Sequence, residues 1–153
     1  MARAKGPSHV VKPAAGFVLD NSIVMAWIFE DETSDYAEAV LARLASTRAV
    51  APSLWPLEVA NALLVGERRK RIAEAKMIQW LAVLGALPID IDGETAAHAW
   101  GDTIALARGH KLSAYDGAYL ELAIRRRLPL ATLDGPLKAA AKAVGVNLYD
   151  PAH

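Results

Sequence analysis

Short apolar runs alternate with longer amphipathic segments from Gly16 onward, and this alternation restricts the fold more than any other feature of the sequence. The short runs have the length of strands, whereas the longer segments carry apolar residues at helical spacings. Strands that alternate with helices are typical of a parallel sheet, because each parallel connection needs a long crossover. The sequence therefore predicts an α/β protein with three layers, α/β/α, around a mostly parallel five-stranded central sheet.

The same alternation gives the predicted boundaries of the elements. The predicted strands cover residues 17–20, 49–52, 88–92, 128–134 and 146–150. The predicted helices cover residues 22–29, 34–46, 54–70, 75–87, 94–109, 112–127 and 135–144. Residues 1–15 combine basic residues and prolines without an apolar segment, so we predict a flexible N-terminal extension and no secretory signal. Residues 16–153 contain no repeat or linker and are predicted to form one domain.

Composition excludes several classes of function. The chain has no cysteine, which rules out disulfides and thiol nucleophiles and makes a reducing cytoplasm the simplest location. Seventeen Lys and Arg residues balance seventeen Asp and Glu residues, so no net charge attracts nucleic acid. No apolar run reaches the roughly 18 residues that cross a bilayer, so we predict no membrane partner.

Four carboxylates occupy related positions in the predicted elements. Asp20 ends strand 1, Glu58 lies early in the helix after strand 2, Asp116 opens a helix, and Asp134 follows strand 4. Each has an ordinary structural explanation as a turn or helix-capping residue. For Asp116 the alternative is specific, because Ser113 lies three residues before it in a capping-box pattern.

Taken together, the four acids favour a functional explanation. The carboxyl ends of parallel strands share one edge of the sheet, where open α/β sheets bind their ligands. Asp116 also has Leu112, Tyr119 and Leu120 at same-face helical spacings, and a charge rarely lies on an apolar face without a partner. Converging carboxylates repel one another unless a cation neutralises them, and Mg²⁺ or Mn²⁺ prefers oxygen ligands. The pattern predicts metal-assisted hydrolysis of a phosphodiester.

Three sequence blocks carry a family resemblance. These are FVLDNSIVMAWIFEDE, PSLWPLEVANAL and LSAYDGAYLELAIRRRLPLATLDGPL, which occur in this order within a resemblance that runs from about residue 17 to residue 149. They resemble the conserved blocks of PIN-domain ribonucleases, specifically the VapC-like toxins of bacterial toxin–antitoxin pairs. The resemblance implies a metal-dependent endoribonuclease with an RNA substrate and a small cognate antitoxin as partner.

The resemblance also implies roles for individual residues. Asp20, Glu58 and Asp116 match the acidic triad that holds Mg²⁺ or Mn²⁺, and Asp134 matches a frequent fourth acid, so these four are the expected catalytic and metal-binding residues. The polar residues expected to assist them are Ser22, Asn61 and Thr132, and Thr132, two residues before Asp134, is expected to orient that acid with its hydroxyl. In the family, strand 1 usually begins close to the initiator methionine, and residues 1–15 depart from this pattern.

Other segments of the sequence give predictions about self-association, packing and RNA contacts. The apolar segments at 54–65 and 77–87 predict a homodimer, because they carry more apolar surface than one sheet face covers. The four tryptophans are expected in the core or at a partner interface. The basic clusters at 67–71 and 125–127 are expected at solvated helix ends, where they would be available to RNA phosphates. Asp92 is expected to cap the helix that follows it.

Three alternatives to an RNA-cleaving enzyme follow from the same residues. A catalytically inactive PIN-like module that binds RNA or protein would keep the fold without the chemistry, although the intact acids argue against it. An aspartyl-phosphate phosphatase or receiver also begins its site with a strand-1 aspartate. The phosphatase needs a second acid two residues after Asp20, where Ser22 stands, and the receiver needs paired acids at strand 1 and a lysine after strand 5, neither of which is evident. A flap-type DNA nuclease needs additional length for a threading arch, and this chain has none to spare.

Overall fold

A computed structural model describes residues 13–152. Most of the predicted N-terminal extension, residues 1–15, therefore lies outside the described residues. Residues 13–15 have no regular secondary structure, and Ala15 packs partly against the core.

The sheet consists of short parallel strands in the order β3-β2-β1-β4. These strands are β1 (Phe17–Leu19), β2 (Ala49–Ala51), β3 (Ile89–Ile91) and β4 (Leu130–Ala131). Every residue of β1, β2 and β4 is buried, as expected for strands that are covered on both faces. The predicted parallel α/β fold is confirmed.

The prediction of a five-stranded sheet is wrong, because the described residues form four strands. The last predicted strand, 146–150, is reduced to a single parallel bridge between Leu148 and Leu130. The amide of Val146 donates to the carbonyl of Ala141 and so closes the end of the preceding helix. Leu130 donates to the carbonyl of Asn147 and accepts from the amide of Tyr149, so the pairing with β4 is limited to this one residue.

Helices occupy the connections between the strands. They are α1 (Asn21–Ile28), a 3-10 turn (Glu30–Glu32), α2 (Asp35–Arg43), α3 (Trp55–Arg68), α4 (Glu74–Ala86), α5 (Thr95–His98), a π-helical turn (Ala99–Thr103), α6 (Ile104–His110), α7 (Ala114–Arg126) and α8 (Gly135–Ala143). The predicted helix at 94–109 is thus one helical segment that a π-helical turn interrupts. No helix among residues 13–152 has the length and apolar character needed to cross a membrane.

The strand order assigns these helices to the two faces of the sheet. The chain moves in one direction from β1 to β2 to β3 and then returns to the opposite side of β1 to form β4. Because parallel crossovers are right-handed, this reversal places α1–α4 on one face and α5–α8 on the other. The observed contacts agree, since α1 packs on α2 and α3, whereas α7 packs on β1, β4 and α8.

Gly117 allows α7 to pack closely against the preceding helical segment. A Cβ atom at this position would lie 3.0 Å from the carbonyl oxygen of Thr103 and 3.2 Å from the Cβ of Ala107. A larger residue would therefore push α7 away from the π-helical turn. Because Gly117 directly follows Asp116, this close packing also fixes the start of α7.

Asp92 is not the helix cap that the sequence predicts. Its side chain is 0% exposed and accepts hydrogen bonds from the guanidinium groups of Arg125 at 2.7 and 3.1 Å and of Arg126 at 2.9 Å. Burial alone would raise the pKa of Asp92, but these two cations outweigh it and lower the pKa to about 2. The ion cluster ties the end of β3 to α7, so Arg125 and Arg126 are not the free RNA-binding cations predicted for this segment.

Candidate active site

The reversal of strand order occurs between β1 and β4, and the carboxyl ends of these two strands form the crevice where open α/β sheets bind ligands. Asp20 directly follows β1, and its amide donates to the carbonyl of Ala131 in β4. Asp134 follows β4 and caps α8 by accepting a hydrogen bond from the amide of Leu137 at 2.8 Å. The topology therefore places both acids at this crevice.

Two hydroxyl groups orient the carboxylate of Asp20. Ser22 and Thr132 each donate a hydrogen bond to Oδ2 of Asp20, at 2.6 and 2.7 Å. Backbone amides in turn hold these hydroxyls, because Leu133 donates to Ser22 and Asp134 donates to Thr132. Oδ2 is thus engaged, which leaves Oδ1 of Asp20 as the oxygen available to a ligand.

Glu58 reaches the same region from the first turn of α3. Tyr119 donates a hydrogen bond of 2.6 Å from its hydroxyl to Oε1 of Glu58, although 61 residues separate the two. The side chain of Tyr119 is 0% exposed, and burial together with the charge of Glu58 raises the pKa of its hydroxyl, which therefore keeps its proton. Tyr119 thus fixes one oxygen of Glu58.

Asp116 lies in the first turn of α7, half-buried. Its backbone amide donates to the hydroxyl of Ser113 at 3.1 Å, so Ser113 is the predicted cap of the helix. Burial raises the pKa of the Asp116 carboxyl, and a hydrogen bond with the Ser113 side chain opposes the shift, so the capping residue also touches the carboxylate. The capping explanation and the site explanation are therefore compatible.

All four predicted acids line one pocket, which we call the acidic pocket and which has a volume of about 390 Å³. Its lining residues are Asp20, Asn21, Ser22, Met25, Ala26, Glu32, Glu58, Asp116, Leu133 and Asp134. Of the residues expected to assist, Ser22 lines this pocket and Thr132 lies behind it, bonded to Asp20. Asn61 lines an adjoining pocket instead, and its supporting role stays a prediction.

The acids of the pocket destabilise one another's charged forms. Burial raises the pKa of Asp20, although the bonds from Ser22 and Thr132 oppose the shift. Burial also raises the pKa of Glu58 and of Asp116, and in both cases the charge of Asp20 adds to the increase. Among the described residues that line the pocket, none is Lys, Arg or His. Asp20, Glu58, Asp116 and Asp134 form no ion pair with any described residue, whereas Glu32 of the lining pairs with Arg71.

The donor set suits a hard divalent cation. It consists of oxygen donors, and Oδ1 of Asn21 is a buried carbonyl oxygen that accepts no hydrogen bond from any described residue. Within residues 13–152, no three Asp, Glu, Cys or His side chains are already grouped as a cation site.

Tyr119→Phe tests whether the buried hydroxyl positions Glu58. The variant keeps the ring and its packing but leaves Oε1 of Glu58 without its donor. Residues that orient metal ligands typically contribute about 10- to 100-fold to metal affinity, and we expect a loss of that size. Mn²⁺ titration by calorimetry measures it. Equal Mn²⁺ affinity in the variant and the wild type would show that the hydroxyl has no such role.

The chain belongs to the PIN domain family, because the family model matches residues 17–143. PIN domains are generally nucleases, and thus hydrolases. This confirms the family resemblance carried by the three sequence blocks.

Among solved structures, the fold is similar to a chain in the crystal structure of FitAcB from Neisseria gonorrhoeae. The TM-score is 0.59 and the sequence identity is 18%, over 90% of this chain and 99% of that one. No curated protein sequence matches this chain. At this level of identity the structural similarity supports the fold alone.

Three residues near the pocket escaped the sequence analysis. Asn21 lines the pocket, and its place directly after Asp20 in the sequence is the signal that could have identified it. Glu32 lines the pocket but also forms an ion pair with Arg71 at 3.2 Å, which makes it a less suitable metal ligand. Tyr119 was placed on the same helix face as Asp116, but its bond to Glu58 joins α7 to α3, which are distant in the sequence.

Proposed function

We propose that this protein is a metal-dependent endoribonuclease that acts as the toxin of a toxin–antitoxin pair. The observation that carries the proposal is the convergence of Asp20, Glu58, Asp116 and Asp134 on one pocket without a cationic side chain. The first three have raised carboxyl pKa values, which favours a divalent cation as the missing partner. RNA as the substrate rests on the resemblance of the three sequence blocks.

The side chains of the pocket would prepare a site for Mg²⁺ or Mn²⁺. When bound, such an ion neutralises the acids, screens the phosphate and lowers the pKa of a water molecule. Ser22 and Thr132 hold Asp20 so that Oδ1 remains available, and Tyr119 holds Glu58 so that Oε2 remains available. Asp116 and Asp134 complete the set of carboxylates. The chain would thus orient two of the ligands in advance, and the four carboxylates would draw closer together when the ion binds.

Metal removal tests this function directly. We expect purified protein to cleave a single-stranded RNA internally in Mg²⁺ or Mn²⁺ and to lose that activity in EDTA. Readdition of metal should restore it, and DNA of the same sequence serves as the comparison substrate. Persistent cleavage in EDTA by highly purified protein would contradict the proposal. Metal binding without cleavage of any RNA would favour the alternative of an inactive PIN-like binding module.

The expected partners are a small antitoxin and a second copy of the chain. An arginine from the antitoxin would form bidentate bonds with the metal-free acids, so its binding would compete with metal. For the homodimer, α4 is the supporting feature: it buries only Leu84 and leaves Ile78, Leu81 and Val83 largely exposed. A cytoplasmic location is consistent with an RNA substrate and with a chain that has no cysteine.

Light scattering and co-expression test these partners. We expect the isolated protein to have the mass of a dimer and to co-purify with the product of a neighbouring reading frame, which inhibits it. Because the inhibition competes with metal, increasing Mn²⁺ should weaken it. A strict monomer that the neighbouring product neither binds nor inhibits would contradict both parts of the proposal.

A further inference from the structure

The acidic pocket continues along the surface into two further pockets. Glu58 and Asn21 also line a second pocket of about 510 Å³. Leu54 and Tyr115 line both this second pocket and a third, of about 310 Å³. We call the third pocket the aromatic groove; Leu54, Trp100, Ile104, Tyr115 and Ala118 form most of its wall. A continuous surface thus connects the acids to an apolar groove.

Two aromatic rings stand at this groove with unusual exposure. Trp100, in the π-helical turn, is 92% exposed, and Tyr115, directly before Asp116, is 65% exposed. Of the two positions expected for Trp100, the core is therefore excluded, and a partner interface stays a prediction. Large aromatic side chains at the surface often mark binding sites, and π-helical turns often occur at functional sites. The rings are available to a planar ligand.

The charges of the acidic pocket do not favour binding of a polyanionic substrate. The acidic pocket has five carboxylates, and its described lining offers no cation to the phosphates of a nucleic acid. Arg125 and Arg126 are engaged by Asp92, which removes them as phosphate contacts. Arg71 is likewise engaged, by Asp31 and by Glu32 of the pocket lining. A polyanionic substrate therefore meets these three cations already paired with acids. Stacking of bases on aromatic rings supplies binding energy that does not depend on charge.

We infer that the aromatic groove binds an unpaired nucleobase of the RNA, close to the phosphodiester that lies at the acidic pocket. The inference rests on the proposed function and adds that the RNA is single-stranded where it binds. A base stacks on Trp100 or Tyr115 only when it has left a duplex, so the groove selects single-stranded RNA. The apolar wall matches the π-face of any base, and the selection is for strand form more than for sequence.

Binding of labelled RNA is measured in EDTA, so that base binding is tested without metal-dependent cleavage. Fluorescence anisotropy at low salt measures the affinity for a short single-stranded oligoribonucleotide, for the same strand in a duplex, and for a strand made of abasic residues. We expect Trp100→Ala and Tyr115→Ala to weaken single-strand binding about 10-fold each. Tyr115→Phe, which keeps the ring, should bind like the wild type. Leu148→Ala removes exposed apolar surface outside the three pockets and should have no effect.

The possible results distinguish failure of the base-binding inference from failure of the proposed nuclease function. Loss of single-strand affinity in Trp100→Ala, together with weak binding of duplex and abasic strands, supports the inference even if no RNA is cleaved. Unchanged affinity and an unchanged KM in both alanine variants overturn it, even if the wild type cleaves RNA in Mg²⁺. A change from dimer to monomer in Trp100→Ala with unchanged RNA affinity also overturns it, because the groove would then be a protein interface.

Discussion

Asp116→Asn should reduce RNA cleavage about 1,000-fold or more, and Asp20→Asn should have an effect of the same size. A metal ion stabilises the transition state of phosphodiester hydrolysis by several kcal/mol, and each 1.4 kcal/mol corresponds to a factor of ten in rate. A neutral amide ligates a hard cation far more weakly than a carboxylate does. Initial rates on one RNA at saturating Mn²⁺ measure the loss. The matched control is Asp102→Asn, an exposed acid outside the acidic pocket, which should retain activity.

The same variants should not weaken the metal-free fold. The raised pKa of Asp116 or Asp20 means that the folded state binds a proton more tightly than the unfolded state does. Each ionised carboxylate therefore destabilises the metal-free fold at neutral pH, and that cost disappears as the pH falls through the raised pKa. We expect an equal or higher Tm for the amide variants in EDTA at pH 7. A large drop in Tm would show that these acids stabilise the fold.

Asp92→Ala should lower the free energy of unfolding by about 3 kcal/mol. The substitution leaves Arg125 and Arg126 without the buried carboxylate that both contact. Breaking a buried ion pair typically costs about 3–5 kcal/mol, and the low end applies here because both guanidinium groups reach solvent. Denaturant unfolding at pH 7 measures the change. Glu94→Gln is the matched control, because Glu94 contacts the same Arg125 from an exposed position and should contribute less than about 1 kcal/mol.

The pH dependence of stability gives a second test of Asp92. Its pKa is about 2 in the folded protein and 3.8 in an unperturbed aspartate. A lowered carboxyl pKa stabilises the fold above the unperturbed value, and this stabilisation is lost as the pH falls from about 4 to about 2. The loss is on the order of 2 kcal/mol, since one pKa unit corresponds to about 1.4 kcal/mol. An identical acid transition in wild type and Asp92→Ala would contradict the assignment.

The sequence was sufficient to predict which acids lie together. Parallel strands bring their carboxyl ends to one edge, so Asp20 and Asp134 were predicted to share a rim before any contact was known. Thr132 was expected to orient Asp134, whereas the structure shows that its hydroxyl donates to Asp20 in the neighbouring strand. The local position of this residue was predictable, but its partner was determined by the pairing of β1 with β4.

Contacts between distant elements explain what the sequence did not reveal. The Tyr119–Glu58 bond joins α7 to α3, and the Asp92–Arg125 ion pair joins β3 to α7. Both depend on how α7 crosses the sheet, which hydrophobic periodicity does not specify. The exposure of Trp100 also departs from helical periodicity, because the π-helical turn rotates the side chains that follow.

Anomalous diffraction from crystals of the wild-type protein soaked in Mn²⁺ tests the central claim most directly. The account predicts one or two Mn²⁺ peaks in the acidic pocket, with carboxylate oxygens of Asp20 and Asp116 at about 2.1 Å. The same soak of Asp116→Asn crystals should give a much weaker peak. A map without a peak in the acidic pocket, or with Mn²⁺ bound at a different group of residues, would contradict it.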